Sequence, residues 1–259
     1  MPLKKDSLSY NDAMNAIDAE LMSRFDQIAG SYDAERCKSY SGVFFNELEA
    51  RVIEDWAVGG RDSQGLDIPC GTGRLTASLA HLCEKVIAAD ISTNMLDIAR
   101  EKVNHLGFTN ITFLRVNSRK LSFSENAFDT IICFNFLHLI PNDQKDEFTA
   151  EFARVLKPGG KLIVEFKSPF YGLFFALLRY CRRLRIIPRK CFPPGQGRQL
   201  FRGYRKGRAV GIGFPFLSGL TRIFGNDAMM NISLVLGRIP IIQFLYYAIV
   251  LEHYNEKQN

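Results

Sequence analysis

Between residues 65 and 166, short apolar runs alternate with segments of helical period. Gly65-Leu66-Asp67 ends a first run in an acid, a two-glycine turn follows, and Leu75-Thr-Ala-Ser-Leu-Ala80 begins an amphipathic helix. Lys85-Val-Ile-Ala-Ala-Asp90 is a second strand ending in an acid, and Ser92 is placed to N-cap the next helix. Ile111–Val116 reads as a third strand by its β-branched content. Phe128–Phe134 is a fourth, buried strand and Lys161–Phe166 a fifth, after a helix that Ala153-Arg-Val-Leu-Lys-Pro-Gly-Gly160 closes with breakers. Further on, the pattern predicts a helix over Gly213–Phe224 and two last strands, Asn231–Gly237 and Tyr246–Glu252.

The turn Asp67-Ile-Pro-Cys-Gly-Thr-Gly-Arg74 carries the chemistry. Gly71 and Gly73 permit a tight turn and close approach of a ligand to the main chain, and the following helix starts with free N–H groups. This is a nucleotide-type site. A dinucleotide loop wants a third glycine where Thr76 stands, and no phosphate-cradling G-x-x-x-x-G-K-[ST] is present. Asp67 is awkward beside a pyrophosphate but suits a cation. S-adenosylmethionine has no phosphate and carries an ammonium, a carboxylate and a sulfonium. Asp67 then faces the ammonium or orders water around it, and the Gly71–Gly73 backbone takes the methionine end. Asp90, one strand–helix–strand unit later, is placed for the ribose hydroxyls. Asn117 and Ser118, after the third strand, are placed for the adenine edge.

Four segments in this order resemble the class I S-adenosylmethionine-dependent methyltransferases: D-I-P-C-G-T-G, A-D-I-S-x-x-M-L, F-D-T-I-I-C and R-V-L-K-P-G-G-K, all within residues 65–166. Arg24–Arg36 is similar to the leading helix of the ubiquinone/menaquinone C-methyltransferase group, and Val164-Glu-Phe-Lys-Ser-Pro169 to that group's segment after the fifth strand. The resemblance implies an α/β fold: a Rossmann-like, doubly wound, seven-stranded sheet, mostly parallel with an antiparallel last strand, helices on both faces. It implies that Tyr32 covers the cofactor, that Asp67, Gly71, Thr72 and Gly73 form the loop, that Asp90 holds the ribose, that Asn117 and Ser118 meet adenine, and that Phe134 follows the fourth strand. Pro69, Ile91 and Met95 lie within the same motifs and join the cofactor set. Two positions depart from the pattern. Pro69 replaces the usual glycine and cannot donate an N–H, and Asn117-Ser118 replaces the commoner Asp-Ala.

At 259 residues the chain is long enough for one α/β domain with an ample core. It divides into N-terminal helices over the cofactor (1–60), a cofactor-binding core (61–166), a basic aromatic insert (167–226) and a C-terminal strand pair (227–259). Six cysteines without a C-x-x-C pair fit a reducing cytoplasm. The polar N-terminus reads as no signal peptide, and no apolar run reaches the ~18 residues of a membrane span. Charge changes the picture: no acid occurs from residue 166 to residue 226, where 13 of the 33 basic residues lie, so the rest of the chain is net acidic although the total is +6. Four readings of this insert (170–208 above all) fit: a contact with a peripheral membrane surface, a lid over a greasy anionic substrate, RNA contact through aromatics and arginines, or a solvated basic loop packed by its own aromatics.

Methyl transfer from an activated sulfonium is an in-line displacement that asks for alignment and exclusion of water. Where the nucleophile must lose a proton, His138, just past the fourth strand, is the candidate base. Tyr32, Tyr171 and Tyr204 are weaker candidates, and His81, His105 and His253 fall on helix surfaces or the tail. No paired metal ligands are visible. The expected function is methyl transfer to a small hydrophobic acceptor such as a quinone precursor, a lipid or a secondary metabolite. The alternatives are an RNA methyltransferase using the basic insert and a non-catalytic cofactor-binding partner subunit.

Overall fold

The computed structural model describes residues 15–38, 40–168, 200–201, 204–213, 217–239 and 248–256. Seven strands form one sheet in the order β3-β2-β1-β4-β5-β7-β6. They are β1 (Gly60–Asp67), β2 (Cys83–Asp90), β3 (Ile111–Arg115), β4 (Phe128–Cys133), β5 (Leu156–Lys167), β6 (Tyr204–Ile212) and β7 (Ala248–Asn255). The first five run parallel. β7 is antiparallel to both neighbours, β5 and β6. The doubly wound sheet expected from the sequence is therefore present, with the opposed strand inserted one place from the edge.

The helices are α1 (Ala16–Arg36), α2 (Tyr40–Trp56), α3 (Thr76–Ala80), α4 (Thr93–His105), α5 (Lys145–Val155), α6 (Leu217–Phe224) and α7 (Asn226–Gly237). Strands buried on both faces read as continuous apolar runs, and here alternate residues feed two cores. Ile131, Cys133, Leu162 and Val164 pack with Phe148, Phe152 and Val155 of α5. Ile132 and Ile163 pack on the other face with Leu48, Ile53 and Trp56 of α2, Leu79 of α3 and Met229 and Met230 of α7.

Three expectations need correction. Asn231–Gly237, read as a strand from its apolar content, is the second half of α7. Met229, Met230, Ser233 and Gly237 are its buried positions, a helical spacing. Gly237 lies so close to β6 that a Cβ there would stand 2.5 Å from the Gly211 carbonyl oxygen. The partner strand of β7 is instead β6, inside the span read as insert, so the C-terminal unit is a helix followed by a strand. His253 is likewise no tail residue: it is buried in β7, stacked on Phe201 at 4.0 Å, and burial pushes its pKa down to about 4.

The insert is also less free than its charge suggested. Lys167 is buried against Glu165, and Arg208 pairs with buried Glu252 and with Asp55. Residues 169–199, with Tyr171 and most of the arginines, lie outside the described residues. No helix among the described residues is long and apolar enough to cross a membrane.

Candidate functional site

The carboxyl ends of the parallel strands and α1 enclose a cleft of about 860 Å³, its open mouth included. It lies at the topological switch point, where β1 has β2 on one side and β4 on the other. Asp67 at the end of β1 and Pro69, Gly71 and Thr72 from the loop after it line the cleft, as do Asp90 at the end of β2, Ile91 just after it and Met95 in the first turn of α4. Asn117 and Ser118 follow β3, Phe134 follows β4, and Tyr32 comes from α1.

Gly73 and His138 do not line the cleft. Gly73 has φ +72°, and a Cβ on it would stand 2.9 Å from the Ala99 Cβ, so its smallness lets the turn pack on α4. Gly71, φ +54°, is the reverse: a Cβ there would meet nothing within 4 Å. The turn beyond β4 presents Phe136 and Leu139 to the cleft and leaves His138, half-buried, beside them. Tyr204 is remote from this chemistry: it is buried on the sheet, donates to the Thr149 carbonyl at 2.8 Å, and burial raises its pKa.

The loop's own N–H groups are largely committed. Gly71 N–H donates to Asp90 Oδ2 at 2.8 Å, and Gly73 N–H to the Cys70 carbonyl at 3.0 Å. The expectation of a free glycine backbone for the methionine end is met only in shape. The cation available there is Arg74, which sequence reasoning missed; it lines the cleft and is anchored on Glu49 at 2.6 Å.

Both acids are buried. Desolvation pushes Asp67 up to about 7, against a hydrogen bond from Thr76 and the charge of Arg74. Desolvation pushes Asp90 up to about 6, against N–H bonds from Ser92 and Gly71. Asp90 thus accepts N–H bonds from Gly71 at 2.8 Å, from Ser92 at 2.9 Å and from Ile91, which leaves part of the carboxylate's acceptor capacity for a hydroxyl. Asn117 gives its amide Nδ2–H to Asp18 Oδ2 at 2.9 Å and accepts the Arg119 N–H at 3.0 Å. Its edge is thus turned to protein partners, and buried Asp18 stands beside it in the cleft wall.

Asp18 shows how α1 is held. Asn15 caps the helix, with Asp18 completing a capping box, so α1 extends well ahead of the Arg24–Arg36 segment that carries the resemblance. The N-x-x-D pattern was the available signal. Along α1, Asp18 binds Arg119 after β3, and Asp26 accepts from Ser92 Oγ after β2. Asp33 accepts from Thr72 Oγ1 after β1 at 2.6 Å, and Arg36 donates to Asn135 after β4 at 3.1 Å. The order is that of the sheet, β3-β2-β1-β4. Between these contacts Leu21, Phe25 and Tyr32 form the inner face over the cleft.

The donor set fits S-adenosylmethionine. A buried acid awaits a cation, a second has capacity for ribose hydroxyls, Gly71 leaves open space, and Ile91 and Met95 are apolar walls for a base. A family model described as "Methyltransferase domain" matches residues 66–160. Magnesium protoporphyrin IX methyltransferase (ChlM) from Synechocystis PCC 6803, solved with bound SAH, superposes with a TM-score of 0.65 over 92% of this chain and 99% of that one, at 16% identity. A SAM-dependent methyltransferase from Aquifex aeolicus superposes with a TM-score of 0.57 over 86% and 97% of the two chains, at 20% identity. Likeness at such identities concerns the fold. The matched segment, residues 66–160, carries the cofactor loops described above, and the fold around it is that of these S-adenosylmethionine-dependent methyltransferases.

The chain's sequence is similar to ubiquinone/menaquinone biosynthesis C-methyltransferase UbiE. The protein from Edwardsiella ictaluri is 35% identical over 172 residues, 64% of this chain and 66% of that protein. The one from Psychromonas ingrahamii is 34% identical over 153 residues, 57% and 59% of the two. The chain thus matches about three-fifths of the length of these curated relatives.

Proposed function

We propose that the chain methylates a ring carbon of a small, apolar, quinone-related acceptor. The observation that carries this reading is the aromatic wall past β4. Phe134, Phe136, Leu139 and Phe148 gather there, with Phe136 and Phe148 edge to face at 5.2 Å. Such a wall suits a flat hydrocarbon ring. Carbon as the methylated atom is supported by the names of the curated relatives, which specify C-methylation in ubiquinone/menaquinone biosynthesis.

When bound, the cofactor supplies a sulfonium-activated methyl group. The chain does the rest by placement. Ionised Asp67 pairs with the α-ammonium, Arg74 answers the α-carboxylate, and Asp90 holds the ribose. α1 covers the cleft and excludes water, while the phenylalanines set the face of the ring. His138, on the turn that carries Leu139, is the proposed acceptor of the ring proton.

The test is incubation of the purified protein with methyl-labelled S-adenosylmethionine and, in parallel, a soluble demethylquinol and total RNA, at low and moderate salt. Label in the quinol at both salt levels is expected. Label in RNA, lost steeply as salt rises, would overturn the reading.

A further inference from the structure

Asn135 is the polar residue in the middle of the aromatic wall, between Phe134 and Phe136, and all three line the cleft. It is held on every side but one. Its backbone sits at φ +55°, a left-handed conformation that asparagine adopts more readily than most residues. Its N–H donates to Glu165 Oε2 at 2.8 Å. Its Oδ1 accepts from Lys167 Nζ at 2.8 Å and from Arg36 Nη1 at 3.1 Å.

Two cations can face only the oxygen of an amide, so the orientation of this side chain is fixed by chemistry. What remains is Nδ2, buried and without a hydrogen-bond partner. A buried unpaired donor is a feature that calls for a reason. The charges behind it add one. Burial would raise the Glu165 carboxyl, but Lys167 and Arg36 hold it below its ordinary value, so this acid is ionised beside two cations. The Lys167–Glu165 pair and the Arg36–Glu49 pair at 2.8 Å brace the amide from behind. Pulled on by two cations at its oxygen, the amide is polarised and its N–H is a stronger donor.

We propose that Asn135 Nδ2–H binds an oxyanion on the methyl acceptor: a phenolate-type oxygen on the ring that the aromatic wall receives. This rests on the ring-acceptor reading above and narrows it to acceptors bearing an ionisable hydroxyl. The hydroxyl releases its proton to solvent, and the negative charge stays on the oxygen, facing Nδ2–H. Asn135 acts on the acceptor and not on the cofactor, and the Lys167–Glu165 and Arg36–Glu49 pairs act through Asn135 as positioning residues.

The experiment uses a chromogenic probe, 4-nitrophenol, titrated by absorbance with the full-length protein saturated with S-adenosylhomocysteine. The wild type should bind the probe and lower its apparent pKa by about one unit or more, a tenfold bias toward phenolate. Asn135→Asp keeps the left-handed backbone and the cation partners but replaces the donor with an acceptor. Asn135→Gly keeps the backbone and removes the amide. Both should leave the probe's pKa at its free value while keeping S-adenosylhomocysteine affinity within about threefold in calorimetry. A wild type that does not bind the probe, or a lowered probe pKa retained in both variants, would overturn the proposal. A wild type that lowers the probe pKa but transfers no label to the demethylquinol would overturn the functional reading and leave the role of Asn135 standing. Transfer to the quinol with a probe pKa unmoved by Asn135→Asp would do the opposite.

Discussion

Thr76 Oγ1 donates to Asp67 Oδ2 across 2.6 Å, both groups buried. The position that a dinucleotide loop would give to a third glycine thus holds the side chain that supports the acid ahead of the turn. The two facts that argued separately against a pyrophosphate are one interaction.

Asp67 makes cofactor binding depend on pH. Burial pushes its carboxyl up to about 7, so near neutrality the apo site is partly protonated. A cationic ammonium binds the ionised form, and S-adenosylmethionine affinity should fall by about tenfold per pH unit below about 6. Calorimetry between pH 5.5 and 8.5 checks this; Asp67→Asn should bind weakly with a flat profile. The sign for stability is opposite. The folded state holds the proton more tightly than the unfolded chain, whose value is 3.8. This contribution is therefore complete below pH 3.8 and is lost as pH rises through about 7. Apo Asp67→Asn should accordingly melt higher than the wild type at pH 8, by at most a few kcal/mol, since each tenfold difference in proton affinity between the two states is worth about 1.4 kcal/mol.

The two glycines of the turn should fail differently. Gly73→Ala combines a left-handed φ with a Cβ 2.9 Å from that of Ala99, and should cost roughly 2–4 kcal/mol of stability. Gly71→Ala meets open space and should cost about 1–2 kcal/mol, with its main effect a weakened cofactor affinity. Chemical denaturation and calorimetry on the pair separate the outcomes; equal effects of both changes in both assays would contradict the assignment.

Asp26 ties α1 to the loop after β2 by accepting from Ser92 Oγ, and the same Ser92 Oγ caps α4 by accepting from Met95 N–H at 3.1 Å. Asp26→Ala leaves that cap in place and removes two contacts of the cover, from Ser92 Oγ and from the Asn94 N–H at 3.3 Å, together worth about 1–3 kcal/mol. Cofactor release should speed up roughly tenfold in stopped flow, and hydrogen exchange in α1 should rise. An unchanged release rate would mean that α1 does not govern the exit.

At the far edge of the sheet, Glu252 is fully buried against Arg208 at 2.9 Å and Lys161 at 3.3 Å. Burial would raise its carboxyl, but the Arg208 hydrogen bonds hold it at about 2. The stability it lends is present above pH 4.5 and fades as pH falls toward 2. Arg208→Ala should cost about 1–3 kcal/mol, less than for a wholly buried pair because the guanidinium is 42% exposed. It should also flatten the acid limb of the stability curve.

The sheet and the cofactor loops were legible because strands buried on both faces print continuous apolar runs and because the turn chemistry is local. Asp67 and Asp90 were read from the local pattern at the strand ends, and Met95 came with the family resemblance. The misreadings share a cause in tertiary packing. Asn231–Gly237 carries strand-like residues, yet the close approach of Gly237 to Gly211 suits a helix laid on β6. Asp18, Arg74 and Asn135 are single polar residues whose importance comes from partners 99, 25 and 32 positions away in sequence. No local pattern announces such pairs.

Along α1, Asp18, Asp26 and Asp33 are spaced by eight and seven residues, close to two helical turns each, so one face of the helix carries all three. The helix therefore works as a ruler. Substitutions between the marks change its texture, but inserting or deleting one residue would rotate every later mark by about 100° and move it off its strand. The length of this segment, more than its composition, is what a viable variant of the protein must preserve.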